Sequence, residues 1–343
     1  MISMLDFATT RTRAASPGRT LGSPVNGALP SAWCCIFAGL AGLSLLLLAT
    51  TGCTGGAEAG RPDKIWGRRG LGEGRFQKPR AIAIDSRDDI YVVDMTGRIQ
   101  VFTAEGEFLR SWRTPAVEAG KPCGLSFDRA GNLLVADTHY FRVLMYTPAG
   151  TLLEDRTIGG TNGHGPGEFY FLTDVVEDSR GNYYVCEYGD YDRIQKFRPD
   201  GQFELQWGKH GNAPGDFVQP RGMAVDARDQ LYVTDACNHR IQIFDVSVTP
   251  PRLVRLWGRE GSGPGELRYP YGIELDPEGN VYIAEFGNSR VQKFTAEGKL
   301  LAQWGTPGRR EGELDQPWAL GLDSQGRLHV VDSYNHRIQR IRL

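Results

Sequence analysis

The chain has 343 residues, a formal net charge of −2 and 44 glycines, and aromatic residues make up 10% of it. This apolar and aromatic content excludes a disordered polymer, and the nearly balanced charge argues against general affinity for nucleic acid. Abundant glycine together with 19 prolines indicates many short strands and turns instead of long helices. The composition therefore predicts an all-β protein.

The start of the chain is predicted to be a targeting and membrane-anchoring segment. Residues 33–50 form an uncharged apolar run, whose length suits either a signal-sequence core or a membrane span. Gly52 and Cys53 follow, and a small residue before a cysteine at this place resembles the bacterial lipobox. The resemblance implies lipidation of Cys53, with an uncleaved signal anchor or ordinary secretion as alternatives. We assign residues 1–53 to this leader and 54–62 to a linker, and we expect the following domain to be tethered at the cell envelope, outside the cytoplasm.

Self-similarity is the dominant feature from residue 63 onward. Six segments repeat a strand, an acidic turn, a second strand that ends in an acid, a short loop and a strand that begins with arginine. The predicted first strands are 81–85, 124–128, 174–178, 222–226, 272–276 and 319–323. The predicted second strands are 90–94, 133–137, 183–187, 231–235, 281–285 and 328–332. The predicted third strands are 98–102, 142–146, 193–197, 240–244, 290–294 and 337–341.

The two ends of the repeat region complement each other. Most repeats add a fourth strand that ends in tryptophan, but the last repeat stops after three strands. Residues 64–67, with the sequence KIWG, match the missing strand. Pairing of this segment with the last repeat would close a ring and remove its exposed edge. The sequence therefore predicts a six-bladed β-propeller of four-stranded antiparallel blades over residues 63–343, closed by its N-terminal strand.

Two local motifs resemble those of the NHL-repeat family. One joins an acid to Asn, Arg and Gln, as in residues 235–242, 285–292 and 332–339. The other is a Gly-Pro-Gly-acid linker before the next repeat, in residues 165–169, 214–217 and 263–267. The resemblance covers residues 63–343 and implies the same six-bladed propeller fold.

An acid and an arginine about five residues later recur in all six repeats. A catalytic pair is needed once in an enzyme, so six copies indicate a structural role. We interpret each pair as an ion pair between the second and third strands, which specifies geometry more than it adds stability. The six pairs are Asp94/Arg98, Asp137/Arg142, Glu187/Arg193, Asp235/Arg240, Glu285/Arg290 and Asp332/Arg337.

Function is expected where the repeats differ, at the residues that precede the first strands and line the mouth of the central channel. Arg80 and Arg221 belong to repeats that face each other across a six-fold ring, and Asp174 stands where the other repeats have Ala or Gly. We predict that the mouth binds a small anionic or planar ligand, held by forked arginine donors and stacked on Tyr271 and Trp318. The alternative is a closed channel in which Asp174 neutralises an arginine. The mouth positions are Arg80, Cys123, Thr173, Arg221, Tyr271 and Trp318.

The third repeat has an irregular loop rich in tyrosine and aspartate. Tyr188, Asp190, Tyr191 and Asp192 lie in or next to it. Exposed tyrosines are common in protein interfaces, so these residues are predicted to recognise a protein partner.

Cysteine spacing gives no sign of a metal or redox motif. The propeller region has Cys123, Cys186 and Cys237, and none of them forms a Cys-x-x-Cys pair. A disulfide between Cys186 and Cys237 and three buried thiols are both compatible with this pattern, and buried thiols are the favoured interpretation.

These features favour a monomeric binding or scaffold module without a cofactor or nucleic-acid partner. An enzyme is the main alternative, because peptidyl-hydroxyglycine lyases and gluconolactonase-like proteins share the propeller resemblance. The lyases hold zinc with histidines at the mouth positions, and none of those positions is His here. A gluconolactonase-like metal cage needs central carboxylates, for which only Asp174 is placed. RNA binding or ubiquitin-ligase adaptation is a remote alternative, since no Cys/His zinc module precedes the propeller.

Overall fold

A computed structural model describes residues 61–343. Six four-stranded antiparallel sheets form a ring in which the innermost strands of successive sheets are in contact, so the six-bladed propeller prediction is confirmed. The predicted leader, including Cys53, lies outside the described residues. Within residues 61–343, no helix has the length and apolarity that a membrane crossing requires.

Each blade places its strands in chain order from the channel outward, and the first three blades are built from continuous segments. Blade 1 contains Pro79–Ile84, Ile90–Asp94, Arg98–Phe102 and Phe108–Arg113. Blade 2 contains Gly124–Phe127, Leu133–Asp137, Arg142–Tyr146 and Ile158–Gly159. Blade 3 contains Phe171–Glu177, Tyr183–Tyr188, Arg193–Phe197 and Phe203–Trp207.

The last three blades repeat this order, and the final one takes its outer strand from the N-terminal side. Blade 4 contains Pro220–Val225, Gln230–Asp235, Arg240–Asp245 and Arg252–Trp257. Blade 5 contains Pro270–Leu275, Val281–Glu285, Arg290–Phe294 and Leu300–Trp304. Blade 6 contains Pro317–Leu322, Leu328–Asp332, Arg337–Ile341 and Lys64–Trp66. Short 3-10 turns span Thr138–Tyr140, Glu154–Arg156, Ala236–Asn238 and Ser333–Asn335, and a small parallel pair joins Thr306–Pro307 to Glu313–Leu314.

The ring closes where the sequence predicts. Lys64 pairs with Arg340 and Trp66 pairs with Ile338 in an antiparallel ladder. The Trp66 ring is nearly fully buried and lies 4.5 Å from the ring of Phe102, centroid to centroid. The closing strand is therefore held by apolar packing as well as by backbone pairing.

The hydrophobic core consists of layers between neighbouring blades. One layer, for example, packs Tyr91 and Val101 of blade 1 against Leu133 and Leu144 of blade 2. Strands in the middle of a blade are buried on both faces, as Arg98–Phe102 is, whereas the outer strands alternate between half-buried and exposed residues. This burial explains why the middle strands are the most regular part of the repeat.

The hairpin turns use the chemistry that the Asp-x-x-Gly-Asn pattern predicts. Asp128 accepts the backbone N–H of Asn132 through Oδ1 at 2.7 Å and the Asn132 side-chain amide through Oδ2 at 2.8 Å. Gly131 has a φ of +82°, a conformation that side-chain-bearing residues seldom adopt. Each such turn joins the first strand of a blade to the second at the end of the channel opposite the mouth.

Candidate ligand site at the channel mouth

The residues that the sequence places at the mouth all border one cavity, which runs along the channel from its mouth end. Its volume is about 330 Å³, and its walls are formed by the inner strands of all six blades. Because each inner strand begins at this end of the ring, the residues at the strand starts converge on one opening. The predicted residues on its wall are Arg80, Cys123, Thr173, Asp174, Arg221, Tyr271 and Trp318.

Arg80 enters the mouth from blade 1 and is half-buried. Its Cζ lies 4.9 Å from the ring centroid of Trp318, and Nη1 donates to the Cys123 sulfur at 3.4 Å. No ion pair links Arg80 to a carboxylate among the described residues. The guanidinium has five N–H donors, so most of them remain available to a ligand.

Arg221 enters from blade 4 and lies between two tyrosine rings. Its Cζ is 4.4 Å from the ring centroid of Tyr188 and 4.9 Å from that of Tyr271. The only hydrogen bond that its side chain donates within residues 61–343 is a long one of 3.5 Å, to the Gln219 side chain, and its Nε is buried without a partner. Arg221 also has no carboxylate partner in this part of the chain. The two mouth arginines therefore hold charge and donors that the fold itself does not use.

Aromatic rings form a continuous wall beside the arginines. Tyr271 stacks on Phe286 with centroids 4.6 Å apart and an interplanar angle of 20°. Trp318 meets both rings edge-on, at 5.1 Å and 5.6 Å. Burial raises the pKa of Tyr271, so its hydroxyl is uncharged at neutral pH. The wall offers flat apolar faces next to forked cationic donors.

Thr173 borders the cavity, but its hydroxyl is used within the wall. Oγ1 donates to the backbone oxygen of Pro220 at 2.9 Å and lies 2.9 Å from the sulfur of Cys186. The bond to Pro220 joins blade 3 to blade 4. Thr173 therefore shapes the mouth and has little capacity left to bind a ligand.

Asp174 is held by backbone groups and not by an arginine. Oδ2 accepts the N–H of Met223 at 2.8 Å, and Oδ1 accepts the N–H of Val175 at 2.9 Å. No ion pair between this carboxylate and Arg80 or Arg221 is present in the described part of the chain. The alternative of a closed channel, in which Asp174 neutralises an arginine, lacks the contact that it requires.

A second acid, Glu274, lies further along the same cavity wall. Burial raises the pKa of Glu274 to about 8, with a smaller contribution from the charge of Asp174, and burial raises the pKa of Asp174 to about 7. Within residues 61–343, no group of three or more His, Cys, Asp or Glu side chains is placed to hold a metal ion.

Two residues of this site, Phe286 and Glu274, were not predicted from the sequence, and a third, Tyr188, was predicted to belong to the partner-binding loop. Tyr188 and Phe286 directly follow the acids that end the second strands of blades 3 and 5, where the other repeats have Met, Thr, Ala and Ser. Glu274 occupies the third position of the cavity-lining run, where the other repeats have Ala, Ser, Val and Gly. All three break the pattern of the repeat in the same way as Arg80 does. A comparison of every repeat position, beyond the residues at the strand starts, would have found them.

A known repeat family matches the second half of the ring. The family described as NHL repeat matches residues 217–244, 267–294 and 314–341, which are most of blades 4, 5 and 6. The protein is a six-bladed propeller that contains NHL repeats. Blades 1, 2 and 3 have the same strand order and the same kind of acid–arginine pair as blades 4, 5 and 6.

Several known proteins resemble this propeller in part. Peptidylglycine alpha-amidating monooxygenase of Rattus norvegicus is 31% identical over 195 residues, which are 54% of this chain, and the chain spans 19% of the length of that protein. A streptogramin B lyase structure superposes with a TM-score of 0.57 at 12% identity, covering 80% of this chain and 95% of the other. A gluconolactonase from Xanthomonas campestris superposes with a TM-score of 0.56 at 14% identity, covering 78% and 87%. At these identities the two structures show a common fold.

The NHL signature in the propeller is a bonding network that fixes the linker to its blade. In blade 4, Arg240 donates through Nε to Asp235 at 2.6 Å and through its two other nitrogens to the backbone oxygens of Asn212, Ala213 and Asp216. Gln242 donates to the Asp216 backbone oxygen at 2.7 Å. One acid therefore orients an arginine whose remaining donors satisfy a loop that has no sheet partner.

The six acid–arginine pairs are all present, which confirms their structural interpretation. Each acid is almost completely buried, and each arginine is buried or half-buried. The nitrogen–oxygen distances are 3.4 Å in Asp94/Arg98, 2.9 Å in Asp137/Arg142, 2.6 Å in Glu187/Arg193, 2.6 Å in Asp235/Arg240, 2.5 Å in Glu285/Arg290 and 2.7 Å in Asp332/Arg337.

The signature histidines connect neighbouring blades. Nδ1 of His239 accepts the backbone N–H of Tyr269 at 3.1 Å, and Nδ1 of His336 accepts that of Lys78 at 2.9 Å. Both accepting nitrogens must be unprotonated, and burial lowers the pKa of both histidines. Ser289 takes the same place in blade 5. These histidines hold the ring together and do not line the cavity.

The loop of blade 3 differs from the exposed partner surface that the sequence predicts. Asp190 and Tyr191 are exposed, and Tyr191 has 42% of its surface accessible. Asp192 is only 1% exposed and lies 2.6 Å from Nδ1 of His210, so it is withdrawn from any partner. Tyr188 contacts Arg221 at the mouth. Only the tip of the predicted surface is therefore open.

The three cysteines of the described region are free thiols. Cys123 and Cys186 are buried and Cys237 is half-buried, so the disulfide alternative between the last two is wrong. Burial raises the pKa of Cys186 and of Cys237. Because the thiolate is the nucleophilic form, these two thiols are unreactive at neutral pH.

Proposed function

We propose that this propeller is a binding module that captures a small planar anion, an aromatic carboxylate, at the mouth of its channel. The observation that carries the proposal is the pair of half-buried arginines, Arg80 and Arg221, which have no carboxylate partner among residues 61–343. A buried charge without a partner is costly, and a bound anion removes that cost.

The shape and chemistry of the mouth favour a flat carboxylate over a compact anion. Guanidinium groups present two parallel N–H donors that match the two oxygens of a carboxylate. Tyr271, Phe286 and Trp318 provide flat apolar faces beside these donors. The cavity of about 330 Å³ lies at the lower end of the range of small-molecule sites, about 300–1,000 Å³. A single aromatic ring with one carboxylate suits both the donors and the space.

The proposal is tested by calorimetric titration of the purified protein with benzoate and with cyclohexanecarboxylate. The two ligands have the same charge, but only benzoate is flat. We expect tighter binding of benzoate, and a loss of about tenfold or more in the Arg80→Ala/Arg221→Ala double variant, since each charge-assisted hydrogen bond is worth about 1.5–3 kcal/mol.

A matched control removes two arginines elsewhere. Arg228 and Arg342 border the groove on the opposite face of the ring, so the Arg228→Ala/Arg342→Ala variant changes the net charge equally. It should bind benzoate as the unmodified protein does. Equal losses in both double variants, or none in the first, would reject the mouth as the site.

A protein could supply the same anionic group. A partner that presents a C-terminal carboxylate or an acidic side chain would use Arg80 and Arg221, with Asp190 and Tyr191 at its margin. We therefore propose protein partners as well. We do not propose a nucleic-acid partner, because the two arginines lie inside the mouth and do not form a basic surface. Competition by benzoate for a captured peptide would support the shared site, and independent binding would count against it.

Enzymatic action is the second candidate function. It is favoured by the 31% identity to a peptidylglycine alpha-amidating monooxygenase over 54% of this chain. A peptidylglycine ends in a carboxylate, which is the group that the mouth arginines are suited to hold. Mass spectrometry of a peptidyl-hydroxyglycine incubated with the protein and added zinc tests this candidate. Cleavage that depends on the protein and on Arg221 would favour an enzyme. An unchanged peptide would favour the binding module.

We also infer that the propeller is tethered to a membrane at the cell envelope. Support comes from the apolar run at residues 33–50 and from the small residue before Cys53. Metabolic labelling with a fatty acid distinguishes the two forms of tether. Label that is lost in Cys53→Ser indicates a lipid anchor, whereas membrane retention without label indicates an uncleaved signal anchor. Release of the protein into the medium would reject both.

A further inference from the structure

Charges are ordered along the depth of the cavity. Its wall contains successive residues of the inner strands, and Arg80 and Arg221 stand at the start of these strands. Asp174 is one residue further along its strand than the mouth ring, and Glu274 is three residues further along. With a rise of about 3.3 Å per residue, Asp174 lies roughly 3 Å and Glu274 roughly 10 Å below the arginines. The cavity is therefore positive at its rim and acidic below.

The deeper acids can accept further hydrogen bonds. Each oxygen of Asp174 accepts one backbone N–H, which leaves a second lone pair on each oxygen. Neither Asp174 nor Glu274 is paired with a basic side chain in the described part of the chain. A hydrogen-bond donor that enters past the arginines would therefore meet acceptors that the fold has not filled.

The ionisation of these acids responds to what the cavity holds. Burial raises the pKa of Asp174 to about 7 and that of Glu274 to about 8, because a dry channel disfavours two negative charges. A cation placed between them would favour the charged forms and release protons. The charged and titratable groups on the cavity wall are Arg80, Cys123, Asp174, Glu177, Arg221, Tyr271 and Glu274.

We propose that the ligand of the mouth is zwitterionic, with its carboxylate on Arg80 and Arg221 and an ammonium group directed to Asp174 and Glu274. This inference rests on the proposed function and specifies its ligand class. The spacing of the wall charges, roughly 3 to 10 Å along the channel, selects molecules that carry the two charges at opposite ends of one small ring or chain. A ligand with only the carboxylate would leave the acidic layer unused.

Two ligands that differ only at the inner end provide the test. 4-Methylbenzoate and 4-(aminomethyl)benzoate have the same ring and the same carboxylate, but only the second carries an ammonium group. Calorimetry on the unmodified protein at neutral pH should show the aminomethyl ligand binding about tenfold more tightly or better, the effect of one charge-assisted contact. In the Asp174→Asn/Glu274→Gln variant the ratio of the two affinities should fall to about one.

A second measurement needs no variant. Binding of 4-(aminomethyl)benzoate should release protons from the acids, so its binding enthalpy should differ between buffers of different ionisation enthalpy, whereas that of 4-methylbenzoate should not. If both ligands bind the unmodified protein equally and without proton release, the zwitterion proposal is wrong and the carboxylate site stands. If neither ligand binds, the proposed function fails and this inference fails with it.

Discussion

Asp235 shows how one buried acid organises a blade. It accepts hydrogen bonds from Arg240, from Gln242 and from the backbone N–H of Val218, so it joins two strands to the linker that leads into its blade. The same arrangement recurs around the ring. At the residue scale, the repeat signature is therefore a means of satisfying loop backbone groups, and it leaves the mouth residues free to vary.

Substitution of this acid tests the structural role. Asp235→Ala should lower the free energy of unfolding by about 3–5 kcal/mol, because the guanidinium of Arg240 would be left buried without its partner. Chemical denaturation of the purified protein measures the change. Asp245→Ala is the matched control, since Asp245 pairs with the exposed Arg252 and its loss should leave the midpoint where it was. Equal midpoints for both variants would contradict the account.

The signature histidines predict a dependence of stability on pH. The folded pKa of His239 and of His336 is lowered by burial, so the unfolded chain binds more protons as the pH falls below about 6.5. The stability that these two contacts give is therefore present above that pH and is lost as the pH falls towards the folded pKa.

Replacement by serine isolates this effect, because Ser289 already occupies the equivalent place in blade 5. The His239→Ser/His336→Ser variant should lose less of its urea midpoint between pH 7.5 and pH 5.5 than the unmodified protein does. A loss as large as that of the unmodified protein would mean that other groups cause the acid sensitivity.

Among the structural elements, the N-terminal strand is short but completes the last blade and so closes the ring. Lys64–Trp66 provides the outer edge of blade 6, and Arg340 of the same blade pairs with Asp63 at 2.8 Å and with Glu105 of blade 1 at 2.9 Å. The closing strand and these charged contacts therefore reinforce the apolar layer between the first and last blades. The ring depends on this joint because no other segment covers that edge within residues 61–343.

Loss of the Trp66 side chain should weaken the joint. Trp66→Ala is expected to cost about 3–5 kcal/mol of unfolding free energy, the usual range for removing a buried tryptophan. Leu71→Ala, a few residues further along, removes a side chain that is 63% exposed and should change stability by less than about 0.5 kcal/mol. Denaturation curves compare the two variants, and an unaffected Trp66→Ala protein would show that the strand is not docked.

The strands were predictable to different degrees for physical reasons. Third strands such as Arg142–Tyr146 match the sequence prediction residue for residue, because the repeated arginine marks where each of them begins. Five of the six inner strands begin earlier than predicted, as Pro79–Ile84 does, since their first residues carry the mouth side chains and do not follow the apolar pattern, whereas Gly124–Phe127 begins at the predicted residue. The burial of Asp192 in the irregular loop of blade 3 was not predictable, because Asp192 contacts His210 of the following linker and no local pattern reveals that contact.

At the scale of the whole molecule, the channel concentrates the residues that the repeats do not share. The arginines at the mouth were predictable from the ring geometry, since opposite blades bring their strand starts together. Glu274 was predictable only from its departure from the repeat, since the equivalent positions hold Ala, Ser, Val and Gly, and its place on the cavity wall follows from the closed ring. Two acids with raised pKa in one channel predict a second pH effect.

The contribution of Glu274 to the free energy of unfolding should decrease as the pH rises. Its folded pKa of about 8 lies above the unfolded value of about 4.3, so the contribution of the neutral acid is complete below the unfolded pKa and is lost as the pH rises through the folded value. Glu274→Gln should therefore raise the urea midpoint relative to the unmodified protein at pH 9 and change it much less at pH 5. A stabilisation of the same size at both values would exclude titration as the cause.

A crystal structure of the protein grown with benzoate would show whether the mouth holds an aromatic carboxylate. We expect the ring of benzoate to lie against Tyr271, Phe286 and Trp318, with its carboxylate about 3 Å from the guanidinium nitrogens of Arg80 and Arg221. Benzoate bound outside the channel, or a mouth that stays empty at a concentration that saturates binding in solution, would contradict this expectation.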